Sequence, residues 1–249
     1  MVAAWLLLLP CFAAADDTLV NWPIVPAPPG VNPAAFPTAR NDWMVRFMAN
    51  LTRTQKGNID LIFDGDSITA NWMGPGHEVW NKNYAKLNAY DFGIPGDRTE
   101  HVLWRLDHGQ VTGLHPKMIV LLIGTNNTAN NTPEQISEGI TAIIHEYQQL
   151  CPEAVILLQG IFPRGEEPTD PLRDKIKSIN AIIAKLDDGK KVLYVDFGDK
   201  FLAPDGKITR DMMADFLHPV SKGYDIWADA IRPYIDKIFA TPPSPPPAT

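Results

Sequence analysis

Cysteine is scarce in this chain, with 2 among 249 residues. That excludes a Cys-rich zinc module and a disulfide framework. Basic charge is also in short supply. Lys and Arg total 22 against 29 Asp and Glu, a net charge of −7 with no basic run. Such a chain is a poor candidate for gripping phosphate backbones, so no nucleic-acid partner is expected. Long apolar runs are missing beyond the N-terminus, so no stable membrane insertion is expected. There is no internal repeat. No HExxH motif and no convincing carboxylate or histidine cluster occurs, so no metal or cofactor is expected.

Ala3 to Ala15 (AAWLLLLPCFAAA) is apolar but too short to span a bilayer, and it ends in three small residues. Residues 1–15 read as a secretory signal peptide, which makes the protein secreted or periplasmic; the alternative is a buried N-terminal helix. Cleavage after Ala15 removes Cys11 and leaves Cys151 as the only thiol, a residue expected to pack rather than react. Residues 16–37 carry six prolines and no helical period, and read as an extended lead-in lying on the domain. The tail, 241–249 (TPPSPPPAT), is low-complexity and expected to be disordered or polyproline-like. The domain proper is expected over 38–240.

At 45% hydrophobic and 20% charged, the rest is ordinary globular material. Short apolar runs alternate with helical patterns. The runs are Ile59–Phe63, Tyr90–Phe92, Met118–Ile123, Val155–Leu158 and Val192–Val195. None alternates polar with apolar, as expected of strands covered on both faces. Helical patterns cover Ala39–Thr54, Thr99–His108, Pro133–Leu150, Pro171–Leu186 and Ser221–Phe239. Thr132 is a plausible N-cap, with Pro133 at the first helical position. Strand alternating with helix predicts a parallel sheet in a three-layer α/β/α sandwich.

In such folds ligands sit beyond the C-terminal ends of the strands. Asp64-Gly65-Asp66-Ser67 follows the first run, and a serine entering a helix can attack a carbonyl carbon while its own N–H holds the oxyanion. Gly96 follows the second run and lets a backbone N–H approach a ligand. Asn126 follows the third, its amide a neutral donor. Near the C-terminus, Asp215 stands three residues before His218, spacing that allows the carboxylate to orient the imidazole. Taken alone, the serine fragment reads equally as a helix cap, and the other three read more readily as turns, caps or a surface loop. Their joint placement, in the order Ser, Gly, Asn, Asp-x-x-His, makes one acyl-transfer site.

These residues resemble the SGNH (GDSL-type) hydrolase superfamily, and most the bacterial esterases similar to the catalytic subunits of platelet-activating-factor acetylhydrolase. The resemblance rests on FDGDSIT (63–69), FGIPGDRTEHVLWRLDHG (92–109), IGTNN (123–127), FPRG (162–165) and DFLHP (215–219), and spans roughly residues 40–238. It implies a flavodoxin-like sheet of five parallel strands in the order 2-1-3-4-5. It implies Ser67 as nucleophile, His218 as general base and acid, and Asp215 as its orienting carboxylate. It implies an oxyanion hole of the Ser67 and Gly96 N–H groups with the Asn126 side chain. Asn127, where many relatives have Asp, and Pro95, before Gly96, depart from the family pattern.

The expected reaction is hydrolysis of short-chain acyl esters, with acetylated carbohydrate the favoured substrate. The alternatives are a lysophospholipase or thioesterase of the same superfamily, and a non-catalytic carbohydrate-binding protein. Trp72, Trp80 and Trp104 flank the site segments; their indoles could stack on sugar rings but are explained as well by core packing. Arg98 could meet a polar substrate group or pair with Asp97 or Glu100, and His101 is expected to pack.

Overall fold

The computed structural model describes residues 22–240. The expected signal peptide, residues 16–21 of the lead-in and the tail lie outside the described residues. In chain order, the elements are α1 (Met44–Gln55), β1 (Leu61–Gly65), α2 (Ser67–Ala70), α3 (His77–Asn83), β2 (Ala89–Asp91), α4 (Thr99–Asp107), β3 (Met118–Leu122), α5 (Pro133–Leu150), β4 (Val155–Gln159), α6 (Pro171–Ile183), β5 (Val192–Val195) and α7 (Ser221–Phe239).

The five apolar runs become five parallel strands in the order β2-β1-β3-β4-β5. All of β1 and β3 is buried, which is why their sequences show no alternation. Side chains nevertheless divide by face. Ile62, Ile119, Leu121, Ile156 and Leu158 join a core roofed by α4, α5 and α6. Leu61, Phe63, Met118, Val120, Leu122 and Leu157 join another, built with Trp72, Trp80, Tyr224 and Trp227 from the α2–α3 segment and α7. Three layers result.

Boundaries differ from expectation where local chemistry intervenes. β1 starts at Leu61 because Asn58 takes a left-handed turn (φ 54°). It runs on to Gly65, since Asp64 and Gly65 pair with Leu121 and Leu122. Arg40 is extended and a 3-10 turn over Asn41–Trp43 precedes α1, so that helix starts at Met44 rather than Ala39. The last turn expected of α6 tightens into a 3-10 turn over Ala184–Leu186. α5 begins as expected: Thr132 Oγ1 accepts from Gln135 N, and Gln135 Oε1 accepts from Thr132 N. Helices α2 and α3 went unread. The first is four residues long, and the second offers only Val79 and Trp80 to the core among polar neighbours.

Residues 22–40 run along α4 and α5. Trp22 meets Trp104 edge-on at 5.3 Å. Asn32 Nδ2 donates to Gln135 O, and Thr99 Oγ1 donates to the carbonyl of fully buried Ala34 at 2.6 Å. Cys151 is free and buried.

Candidate active site

β1 delivers its last residues to the centre of the sheet, beside β3. A Cβ at Gly65 would lie 2.1 Å from Leu122 O and 2.4 Å from Thr69 Oγ1, so only glycine lets the chain turn this close to β3. Asp66 then caps α2, its Oδ1 accepting from Ile68 N at 2.9 Å. Burial pushes the Asp66 pKa up to about 7. Ser67 is the first residue of α2 and is only partly buried.

The loop after β2 is drawn to this turn by Ile94 N, which donates to Gly65 O at 3.1 Å. It carries Gly96, exposed and left-handed at φ 79°, a conformation glycine adopts without steric cost. The loop after β3 carries Asn126, whose Nδ2 donates to Asp97 O at 2.9 Å. That bond ties Asn126 to the residue following Gly96 and leaves the second Nδ2 hydrogen to point elsewhere. Asn127 turns the other way. Fully buried, it accepts from Thr99 N at the start of α4 and donates to Glu100 Oε2 at 2.9 Å. An aspartate could not donate there and would face the Glu100 carboxylate, so Asn127 suits this chain's own α4.

Behind both loops lies a buried polar cluster absent from the expected site. Arg105, in α4, donates from Nη2 to Asp64 Oδ1 at 3.0 Å and from Nε to Asp97 Oδ2 at 2.9 Å. Gln110 and Tyr147 hydrogen-bond the other oxygen of Asp64. Arg105, Asp64 and Asp97 have no exposed side-chain surface. Burial works against the guanidinium charge, but Asp64 and Asp97 more than offset it and hold Arg105 charged. The residue before the Gly65 turn and the residue after Gly96 are thus fastened to one cation.

The fourth segment precedes α7. Met213 and Pro219 form an isolated bridge that pinches off a loop containing Asp215, Phe216, Leu217 and His218. Phe216 sits at φ 62°, and its carbonyl accepts from Gly165 N at 2.9 Å. Asp215 Oδ1 accepts from the backbone N–H groups of Leu217 and His218, and Oδ2 stands 2.6 Å from His218 Nδ1. Burial favours protonation of Asp215, yet the N–H and ring of His218 outweigh it and hold the carboxyl at about 2. With Nδ1–H directed at Asp215, Nε2 presents its lone pair to Ser67 Oγ, 2.8 Å away. The side chains of His218 and Asp215 are 29% and 56% exposed, so the site opens to solvent.

Ser67, His218 and Asp215 therefore stand in one hydrogen-bonded line, with the Gly96 and Asn126 loops joined beside Ser67. The tryptophans do not line it. Trp72 and Trp80 meet Phe63 and Tyr84 edge-to-face in one core, and Trp104 packs against Trp22 and Trp43. Arg98 pairs with Glu100 at 2.9 Å, and buried His101 accepts from Arg98 N. Two arginines near the site were not picked out by sequence reasoning. Arg173 donates to Arg164 O and Gly165 O, and Arg164 Nη1 reaches Thr125 O and Oγ1. The only signal was the FPRG segment itself.

Fold and site together define an α/β ester hydrolase. The family model of the GDSL-like lipase/acylhydrolase family matches residues 63–226, and the chain belongs to that family. It is 37% identical over 200 residues to human platelet-activating factor acetylhydrolase IB subunit alpha2, covering 78% of this chain and 86% of the relative. A GDSL-like lipase from Bacteroides thetaiotaomicron has a similar fold, with a TM-score of 0.61 at 20% identity over 79% of this chain and 96% of that one. So does an acetylxylan esterase from Geobacillus stearothermophilus, with a TM-score of 0.53 at 19% identity over 69% of this chain and 92% of that one.

Proposed function

We propose that this ester hydrolase works through an acyl-enzyme on Ser67 and removes short acyl groups, acetyl above all, from carbohydrate outside the cytoplasm. The observation that carries the mechanism is the unbroken line from Asp215 through His218 to Ser67, at 2.6 and 2.8 Å. Ser67 Oγ attacks the ester carbonyl as His218 Nε2 takes its proton. Asp215 stays ionised and stabilises the imidazolium without accepting the proton. The oxyanion is held by the N–H groups of Ser67 and Gly96 and the Asn126 amide. His218 returns the proton to the departing alcohol, and water repeats the cycle on the acyl-enzyme.

Three observations support the substrate reading. The site is open, which suits a small ester on a large, hydrated alcohol. The N-terminal run reads as an export signal. One relative is named an acetylhydrolase and one neighbour an acetylxylan esterase. The test is a panel of acetylated xylan, acetylated monosaccharides, 4-nitrophenyl esters from acetate to palmitate, and lysophospholipid. Acetyl esters are expected to give the highest kcat/KM. A preference for chains beyond about eight carbons would overturn the deacetylase reading in favour of a lysophospholipase or long-chain thioesterase.

A further inference from the structure

We propose that Arg164 selects substrates whose alcohol half carries an anion, a carboxylate or a phosphate, by holding that group at the rim of the site. The proposal rests on the acyl-enzyme reading and adds the substrate's charge to it.

Arg164 stands between the two halves of the site. The neighbouring Gly165 N donates to Phe216 O, in the loop that bears His218. The guanidinium itself reaches across to Thr125, the residue before Asn126, with Nη1 at 3.4 Å from the carbonyl and 3.3 Å from Oγ1. The alcohol half of an ester must lie against His218, which gives it a proton, and the His218 loop is the one to which the Arg164–Gly165 main chain is tied.

The backbone here is built to hold its place. Arg173, 5% exposed, donates from Nε to Arg164 O at 2.6 Å and from Nη2 to Gly165 O at 2.8 Å. A buried arginine used on the main chain of another arginine fixes where the second side chain starts. Arg164 is itself only partly buried and forms no ion pair among the described residues, and its Nε and Nη2 have no hydrogen-bond partner there. Asp66, the carboxylate that feels the Arg164 charge, is buried and caps α2, and the other carboxylates on this side are engaged as well. Asp215 holds His218, Glu167 pairs with Lys207, and Asp170 caps α6. Lys175 adds a second positive charge on this side, donating to Thr128 O at 2.7 Å. In a chain of net charge −7, a guanidinium with unused donors between the His218 loop and Thr125 is placed for a planar, two-oxygen anion.

The test compares three aryl acetates: 4-acetoxybenzoate, 4-acetoxyphenyl phosphate and the neutral methyl 4-acetoxybenzoate. For Arg164→Gln, the fall in kcat/KM on the anionic esters should exceed that on the neutral ester by roughly ten- to a hundredfold, the worth of one charge-assisted hydrogen bond. The excess should appear in KM, and Arg164→Lys should recover part of it. A larger excess on the phosphate ester identifies a phosphate-bearing alcohol, and on the benzoate a carboxylate-bearing one. Equal losses on all three esters would overturn the proposal and make Arg164 a brace for the Thr125–Asn126 loop. So would no loss on any. Failure of the underlying acyl-enzyme reading looks different: Ser67→Ala would then keep the wild-type rate on every ester.

Discussion

Asn126 and Asp66 call for different measurements. Asn126 is partly exposed and spends one amide hydrogen on Asp97 O. In the proposed mechanism its other hydrogen meets charge that develops only in the transition state. Asn126→Ala is therefore expected to lower kcat by roughly 10²–10³ with little change in KM. Steady-state kinetics on 4-nitrophenyl acetate checks this. Asp66 bears on stability. Its carboxyl has a pKa of about 7 in the folded protein because it is buried, against an ordinary value of 3.8. Between those values the folded chain holds a proton that the unfolded chain has released, so this group's contribution to stability falls as pH rises. Asp66→Asn keeps an oxygen to cap α2 and cannot ionise. Its melting temperature relative to wild type should climb steadily from pH 4 to pH 7, reflecting a gain on the order of a few kcal/mol. Asp215 acts in the opposite sense, since its pKa is held down. Its stabilising contact is present above the ordinary carboxylate range and fades as pH falls towards 2.

At the scale of elements, Arg105 links α4 to the end of β1 and to the Gly96 loop. Removing it would leave Asp64 buried without a cation and Asp97 with only Arg40, whose Nη1 stands 3.3 Å from Asp97 Oδ1. Arg105→Met should cost about 3–5 kcal/mol, measurable by urea denaturation. It should also lower kcat, because Asp97, whose carbonyl receives Asn126, is then held by Arg40 alone. This brace illustrates what the sequence could and could not reveal. The strands were legible because double-sided burial demands unbroken apolar runs, and α5 because Thr132, Pro133 and Gln135 form a cap readable residue by residue. Ser67, Gly96, Asn126, Asp215 and His218 were legible because each sits just past a strand or in a short fixed spacing. Arg105 carried no such mark. Its partners come from β1, the loop after β2 and the loop after α4, and only the fold brings them together. The same holds for Arg164 and Arg173, whose partners are mostly main-chain carbonyls with no side-chain signature. Trp72, Trp80 and Trp104 stood next to the right segments, but large apolar rings are drawn to the core regardless of what lies beside them in sequence.

Considered whole, the described part of the molecule is a parallel sheet that presents four loops at one end, with the segment 22–40 packed along α4 and α5. No helix among the described residues is long and apolar enough to cross a membrane. The loops meet at a solvent-open line of acid, imidazole and hydroxyl, and the account stands on the claim that this line makes and breaks a covalent ester. The most direct measurement is acid-quenched mass spectrometry of the protein mixed with excess 4-nitrophenyl acetate. The peptide containing Ser67 should gain the mass of one acetyl group during turnover, and Ser67→Ala should gain none and lose roughly 10⁴-fold or more in rate. An acetyl group carried on another residue, or a Ser67→Ala protein that hydrolyses the ester at the wild-type rate, would contradict the account.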